Sequence, residues 1–135
     1  MASGNPNSQF FDHGYRMFTG GRLANAIGYQ QLAYNNNLVA LAGGGATGAT
    51  QLTNAYNHIL TCATTADSCK LPPAIPGNIC YLMNAGAQST TVYAYEGSAT
   101  TINATSGATG VAQAAGVGAL YFCPLANLWS RIQSS

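Results

Sequence analysis

Charged side chains are scarce in this sequence. Its 135 residues include four lysines and arginines and three aspartates and glutamates, whereas ordinary globular domains carry roughly 25% charged residues. The charged residues are scattered along the chain: Arg16, Arg22, Lys70, Arg131, Asp12, Asp67 and Glu96. A free monomer usually keeps more charge on its surface for solubility. We therefore expect a surface that is polar but uncharged, or one that other subunits cover.

Further absences exclude several partners. Nucleic-acid binding requires clustered lysines and arginines, and four scattered cations cannot form a basic stripe. The longest apolar run is far below the ~20 residues of a membrane-spanning helix. The first residues, MASGNPNSQFFDHG, have neither the basic nor the apolar region of a secretory signal. We expect no nucleic-acid partner, no membrane partner and synthesis in a cytosol.

Catalytic chemistry has few candidate residues. The pair Asp12 and His13, with His58, is the only combination suited to an acid-base or metal site, and a hydrogen-bonded structural pair is the favoured interpretation. The sequence has no GxSxG nucleophile elbow. The glycine cluster GGGATGAT at 43–50 lacks the GK[ST] ending of a phosphate-binding loop. We predict no catalytic, cofactor-binding or metal-binding residue and expect no enzyme activity, with a small hydrolase using His13 or His58 as a minor alternative.

The cysteines are even in number, which permits a disulfide framework in an oxidising compartment. They are Cys62, Cys69, Cys80 and Cys123. Without a secretory signal, free thiols are the favoured expectation, and a late bridge between Cys62 and Cys69 across the intervening turn is the alternative. No pair has the CxxC spacing of a structural zinc site.

Short β-segments separated by turn residues fill the second part of the chain. The stretch 69–102, CKLPPAIPGNICYLMNAGAQSTTVYAYEGSATTI, contains three of them. In the last, Val92, Ala94 and Glu96 alternate with Thr91, Tyr93 and Tyr95, which is the period of a strand. Further strands are predicted at 57–63, 100–103, 110–116, 119–123 and 127–132, with 51–53 as a possible first edge. About seven or eight short strands at this spacing indicate an all-β sandwich or barrel over residues 46–135.

Residues 1–45 lack such a pattern. Their aromatic side chains are interrupted by glycines and by the Asn35–Asn37 run. A short helix over 22–33 is possible, although Gly28 in its middle costs about 1 kcal/mol relative to alanine. We predict an extended N-terminal arm, joined to the β-body by the glycines at 43–48, that lies on its own body or on a neighbouring subunit.

Several aromatic residues fall in predicted strands. They are Tyr81, Tyr93, Tyr95, Tyr121 and Trp129. Such residues can form a platform on which sugar rings stack, but aromatic residues in strands more often pack across strands. Core or interface packing is therefore the favoured interpretation, and glycan binding stays open.

Turn and strand residues follow a recognisable order in the second half of the chain. A Leu-Pro start is followed by a glycine, a strand, an Asn-x-Gly turn, a second strand, a glycine, an Ile-Asn pair, an Ala-Gly pair and a last apolar strand. The corresponding residues are Leu71, Pro72, Gly77, Asn84, Gly86, Val92, Gly97, Ile102, Asn103, Ala115, Gly116, Phe122 and Trp129. In this order the second half of the chain resembles the head decoration, or cement, proteins of tailed bacteriophages. Related modules occur in head fibres and tail fibres. The long aromatic arm departs from the simplest form of this pattern.

The resemblance implies a jelly-roll-like antiparallel β-sandwich that forms a homotrimer on the outer capsid surface, bound to the major capsid protein and without catalytic residues. Its implied location is the virion, after assembly in the cytoplasm of the host bacterium. The alternative is a tail-fibre or head-fibre module that binds a host receptor or glycan. A β-domain with another protein partner is compatible with the residues alone.

Overall fold

The chain forms two compact units, Met1–Gln31 and Leu32–Ser135. The computed structural model describes residues 15–17, 23–25, 32–42 and 45–135. In the first unit β1 and β2 pair antiparallel, so residues 23–25 form a strand where a helix was considered. The rest of the predicted arm up to residue 31 lies outside the described residues.

Short strands make up most of the described chain, so the prediction of an all-β fold is confirmed. The strands are β1 (Tyr15–Met17), β2 (Leu23–Asn25), β3 (Tyr34–Val39), β4 (Leu41–Ala42), β5 (Thr50–Gln51), β6 (Tyr56–Thr61), β7 (Asp67–Lys70), β8 (Ile79–Asn84), β9 (Thr90–Tyr93), β10 (Thr101–Ile102), β11 (Thr105–Ser106), β12 (Val111–Gln113), β13 (Gly118–Leu125) and β14 (Leu128–Gln133). The helix α1 (Gly45–Gly48) and a 3-10 turn (Gly97–Ala99) are the helical pieces of the described residues.

Two sheets share the second unit. The larger has the strand order β11-β10-β14-β13-β8-β6-β3, and the smaller has the order β12-β9-β7-β4, with β5 also paired to β7. The chain passes from one sheet to the other repeatedly. In the larger sheet β3, β6 and β8 are parallel neighbours, and in the smaller sheet β5, β7 and β9 are parallel neighbours. Successive turns of the chain therefore stack on one another in a solenoid-like arrangement.

This strand order corrects the expected antiparallel jelly roll. The sheets are mixed, because antiparallel pairs accompany the parallel ones. In the smaller sheet β7 runs antiparallel to β4, and β9 runs antiparallel to β12. In the larger sheet β13 runs antiparallel to β8 and β14. The short connection from β6 to β7 leads to the facing sheet and does not form a hairpin. Side chains alternate with a period of two in the flanking strands, whether the connection is a hairpin or leads to the facing sheet. The sequence pattern therefore did not distinguish these two topologies.

The core lies between the two sheets. The larger sheet contributes Ile59, Leu82, Tyr121 and Trp129, and the smaller sheet contributes Val92, all fully buried. Alternate residues point away from the core. In β9, Val92 and the following Ala94 are buried while Thr91 and Tyr93 are half-exposed, as the alternation predicted.

Neutral side chains connect the two sheets inside the core. The Gln113 amide nitrogen of β12 donates to the carbonyl oxygens of Leu82 and Val117, both at 2.9 Å. The Tyr121 hydroxyl donates to the Gln113 Oε1 at 2.9 Å. Buried polar groups are tolerated when they are paired in this way, so these bonds join β12 to β8 and β13 without charged residues.

The predicted boundary between arm and body falls inside the second unit. The structure places β3 beside β6 and β4 beside β7, so residues 32–42 belong to the β-body. The apolar residues of 34–39 do not alternate regularly, yet this segment forms β3. The reason is that register shifts flank Leu38, and bulges of this kind accommodate a strand without strict alternation. Gly45–Gly48 of the predicted flexible junction forms α1, and residues 43 and 44 lie outside the described residues.

We expect a chain that starts at residue 32 to keep its fold, because the buried core residues among 32–42 and 45–135 all lie at or beyond Ala40. A chain that starts at residue 41 loses β3 and the partly buried Leu38. It should lose about 2 kcal/mol or more, the scale of one buried leucine. Thermal and urea unfolding of both truncated chains measure the difference, and equal stability would contradict the assignment of β3 to the body.

Asp67 should stabilise the corner between β6 and β7 in a pH-dependent way. Its carboxylate accepts the Thr64 hydroxyl at 2.7 Å and the backbone N–H groups of Ala63 and Thr64. The Thr64 hydrogen bonds, followed by the one from Ala63, lower the pKa of Asp67. A lowered folded-state pKa gives stability that is present above the unfolded pKa of about 3.9 and is lost as the pH falls.

The variant Asp67→Asn should therefore unfold at a lower temperature than the unmodified protein at pH 7. The gap should begin to narrow as the pH falls below the unfolded pKa of about 3.9, and it should close only below the lowered folded-state pKa, where the carboxylate of the folded protein becomes protonated. Melting curves from pH 7 to pH 2 measure it. A gap that is constant over this range would mean that the charge of Asp67 plays no part.

Candidate interaction surface

Five neighbouring strands of the larger sheet place a large side chain at the same level. In the strand register Tyr34 is opposite Tyr56, Tyr56 is opposite Tyr81, Tyr81 is opposite Leu120, and Leu120 is opposite Ile132. Residues opposite each other across a ladder share a face of the sheet. We call this line of residues the apolar row. It crosses β3, β6, β8, β13 and β14.

The apolar row lies on the side of the sheet that faces away from the core. The residues that follow Tyr56, Tyr81 and Leu120 in sequence are buried on the opposite side: Asn57, Leu82 and Tyr121. Alternation places further residues beside the row, above and below it: His58, Leu60, Ile79, Met83, Gly118, Phe122 and Ser130. We call these residues and the apolar row together the outer face.

The tyrosines of the outer face lie against one another. The rings of Tyr56 and Tyr81 are stacked, with centroids 5.0 Å apart and planes 9° from parallel. A Cβ atom at Gly118 would overlap the Tyr81 hydroxyl oxygen. The absence of a side chain at Gly118 therefore leaves room for the Tyr81 side chain to lie across the neighbouring strand. The centre of the outer face is a stacked pair of tyrosine rings.

The charged residues of the second unit are engaged away from the outer face. The Arg131 guanidinium donates to the Ala112 carbonyl at 2.8 Å on the smaller sheet, and Lys70 lies 5.4 Å from the centre of the Tyr95 ring. Glu96 accepts the Ala74 N–H and the Thr100 hydroxyl, both at 2.9 Å. Asp67 accepts hydrogen bonds at its own corner. None of the four charged residues between 32 and 135 is on the outer face.

Solvent reaches much of this apolar surface in the single chain. Tyr34 is 58% exposed, Ile132 is 62% exposed and Leu120 is 37% exposed. Leu60 and Ile79 on the same face are each more than half exposed. Single exposed apolar residues are common, but a contiguous patch marks an interaction site. The outer face is the candidate functional site of the protein.

Catalytic candidates are not brought together in the described residues. His58 is half-buried on the outer face opposite Met83, and Asp12 and His13 lie outside the described residues. Within 32–42 and 45–135, no three His, Cys, Asp or Glu side chains are grouped closely enough to hold a metal ion. No helix in the part of the chain that the structure describes is long and apolar enough to cross a membrane.

The five aromatic residues singled out in the sequence have different environments. Tyr121 and Trp129 are fully buried in the core, and burial raises the pKa of Tyr121. Tyr93 is half-buried in the smaller sheet, and Tyr95 is exposed beside Lys70. Only Tyr81 of the five belongs to the outer face. The structure therefore does not assemble these residues into one platform.

Four members of the apolar row were not singled out as site residues in the sequence. They are Tyr34, Tyr56, Leu120 and Ile132. Period-two alternation in 56–60 and 118–122 carries a signal for two of them. The pairing that brings the row together joins residues far apart in sequence, and alternation within one strand holds no information about it.

All four cysteines are free thiols buried in the second unit. The Cys62 thiol donates to the Ser89 carbonyl at 3.5 Å, and the Cys123 thiol donates to the Leu125 carbonyl at 3.1 Å. Burial raises the pKa of every one of them, with that of Cys80 reaching about 12. A thiol that stays protonated and inaccessible is a poor nucleophile, so these residues act as small core residues.

The chain matches no family model, no curated protein and no solved structure with which it was compared. The phage resemblance noted in the sequence stays a prediction.

We expect the four thiols to be unreactive in the folded protein. Addition of a disulfide reagent such as Ellman's reagent at pH 8 should release less than one equivalent of thiolate, because burial both blocks access and keeps the thiols protonated. In denaturant all four of the cysteines should react. Fast reaction of one cysteine without denaturant would show that its site opens to solvent.

Proposed function

We propose that the protein is a structural virion protein: a bacteriophage capsid decoration protein that binds the outer surface of the head and stabilises it through self-association and contacts with capsomers. The observation that carries this proposal is the outer face, a contiguous apolar surface without lysine, arginine, aspartate or glutamate. A protein whose function is to cover surface requires such a face and requires no reactive site.

The second unit has the properties of a building block. Its charged residues contact groups away from the outer face, its thiols are buried, and the Gln113 amide pairs polar groups inside the core. Interfaces between permanently associated subunits are apolar and depleted of charge at their centres. These are the properties of the outer face.

The proposal does not depend on the jelly-roll expectation, which the mixed sheets have corrected. It depends on the surface and on the sequence pattern from Leu71 to Trp129. The proposed partners are the major capsid protein and further copies of the chain, as a homotrimer, with no nucleic acid and no membrane. The proposed location is the outer capsid surface of the virion, after assembly in the cytoplasm of the host bacterium.

The stacked tyrosines favour a second candidate, a head-fibre or tail-fibre module that binds a host receptor or glycan. Tyr56 and Tyr81 present parallel rings on a solvent-facing surface, and Tyr34 is exposed in the same row. Aromatic faces of this kind stack on the apolar side of sugar rings. The free protein should then bind saccharides, whereas a decoration protein should not.

Expanded empty heads that lack the protein, from the phage that encodes it, provide the direct test. We expect the purified protein to co-sediment with these heads and to raise their melting temperature. Binding should persist at about 1 M salt, where charge interactions are screened within ~3 Å, because the outer face carries no charge. Unexpanded heads of the same phage are the control for the state of the shell.

Two results would contradict the proposal. Failure to bind the heads at any salt concentration would remove the decoration role. Saccharide binding on a glycan array, lost in Tyr81→Ala and retained in Tyr95→Ala, would support the fibre module in its place. Tyr95 is a suitable control because it is an exposed tyrosine outside the outer face.

A further inference from the structure

We propose that His58 makes attachment of the outer face dependent on pH: the face binds an apolar partner surface while His58 is neutral and releases it when His58 takes up a proton. This proposal deepens the proposed function by naming how attachment to the head is regulated, and it rests on that function for its biological use. Its structural basis is the position of His58 in a face that carries no other group ionising near neutral pH.

His58 lies on the outward side of β6. The next residue, Ile59, is fully buried, and Tyr56 and Leu60, two residues before and after His58, belong to the outer face. The side chain of His58 is already half-buried in the single chain. A partner that covers the apolar row therefore also covers His58, which is one step along β6 from Tyr56.

The strands beside β6 present no charged residue to His58. Met83 of β8 is directly opposite His58, and Gly118 of β13 follows beyond Met83. On the other side of β6 the register of β3 is shifted between Asn35 and Leu38. The residues around His58 on these four strands are uncharged near neutral pH: Asn36, Asn37, Met83, Gly118, Tyr34, Tyr56 and Tyr81. Tyrosine ionises near pH 10, so between pH 5 and pH 8 His58 is the group of the outer face that changes its charge.

The lack of opposite charge extends to the partner surface. A carboxylate on that surface would be buried at neutral pH against a face without lysine or arginine, which is costly. The partner surface that fits the outer face is therefore uncharged. A protonated His58 in this contact has no counter-ion on either side, so the proton must leave before the face is covered.

The expected change in affinity follows from the fraction of the protein that is able to bind. Histidine ordinarily titrates near pH 6.5, so about nine-tenths of such side chains are neutral at pH 7.5 and about one-tenth at pH 5.5. An affinity that requires the neutral form falls in proportion to this fraction. We therefore expect each copy to bind about tenfold more weakly at pH 5.5 than at pH 7.5.

Agarose beads that carry phenyl groups provide an apolar, uncharged surface on which to test the proposal without heads. At one fixed salt concentration the unmodified protein should bind these beads about tenfold more weakly at pH 5.5 than at pH 7.5. His58→Gln keeps a polar side chain that does not titrate, and it should bind equally at both pH values. His13→Gln is the matched control, because it removes the other histidine of the chain, and it should behave like the unmodified protein.

The same three proteins should then be co-sedimented with expanded empty heads between pH 7.5 and pH 5.5. A pH dependence that comes from ionisation of the head itself appears in all three, so the part that is missing in His58→Gln belongs to His58. We expect this part to amount to about tenfold in affinity per copy. Equal melting temperatures of the three proteins at each pH would show that all of them are folded.

The results separate this inference from the proposed function. Equal pH profiles of the unmodified protein and His58→Gln, on beads or on heads, would overturn the inference, and head binding by both would leave the decoration role intact. Tighter binding of the unmodified protein at pH 5.5 would overturn it too, since a carboxylate of the partner would then face His58. A dependence lost in His13→Gln in place of His58→Gln would assign it to the wrong histidine. The expected pH profile on beads, with no binding to heads at any pH, would overturn the decoration role alone.

Discussion

The side-chain amide of Gln113 links the two sheets at a position where they are not joined by hydrogen bonds between their backbones. Backbone hydrogen bonds hold strands together within a sheet, but the facing sheets share only side chains. From β12 in the smaller sheet, Gln113 donates to the Leu82 and Val117 carbonyls and accepts from the Tyr121 hydroxyl. Asn84 extends the connection by donating to the Gln113 carbonyl at 3.1 Å. An apolar replacement would leave Tyr121 as a buried donor without a partner.

Scarcity of charge constrains how every corner of the fold is made. Within the second unit, side-chain carboxylates accept hydrogen bonds at two places, the Asp67 corner and the contacts of Glu96 with Ala74 and Thr100. Elsewhere asparagine, glutamine, serine and threonine satisfy the backbone, as Asn84 does for Gly86. The result is a body whose cohesion depends little on salt and whose uncharged sheet surface remains available for contact with other molecules.

The sequence predicts much of the local structure of the second unit and little of its topology. Alternation located β8, β9 and β14 to within a few residues, and it placed Val92 and Ala94 on one face of their strand, which is the face that the structure buries. It did not locate β3, because register shifts around Leu38 hide the period. The strand predicted at 119–123 continues in the structure to Leu125, through Pro124 and across a shift in register, a position that tolerates proline. The outer face is formed by the pairing of residues that are distant in sequence, such as Tyr34 with Tyr56. Alternation within a single strand does not predict which strands pair.

The position of β13 in the larger sheet has a consequence for synthesis of the chain. It lies between β8 and β14, although it follows β8 only after β9, β10, β11 and β12. While the ribosome is still adding residues before 118, the edge of β8 has no partner, and its peptide groups can pair with a strand of another nascent chain. Neighbouring ribosomes on one messenger RNA bring such chains together. Slow translation or crowded polysomes should therefore favour aggregation, and a chaperone that covers β8 until residue 125 has emerged should favour the native fold.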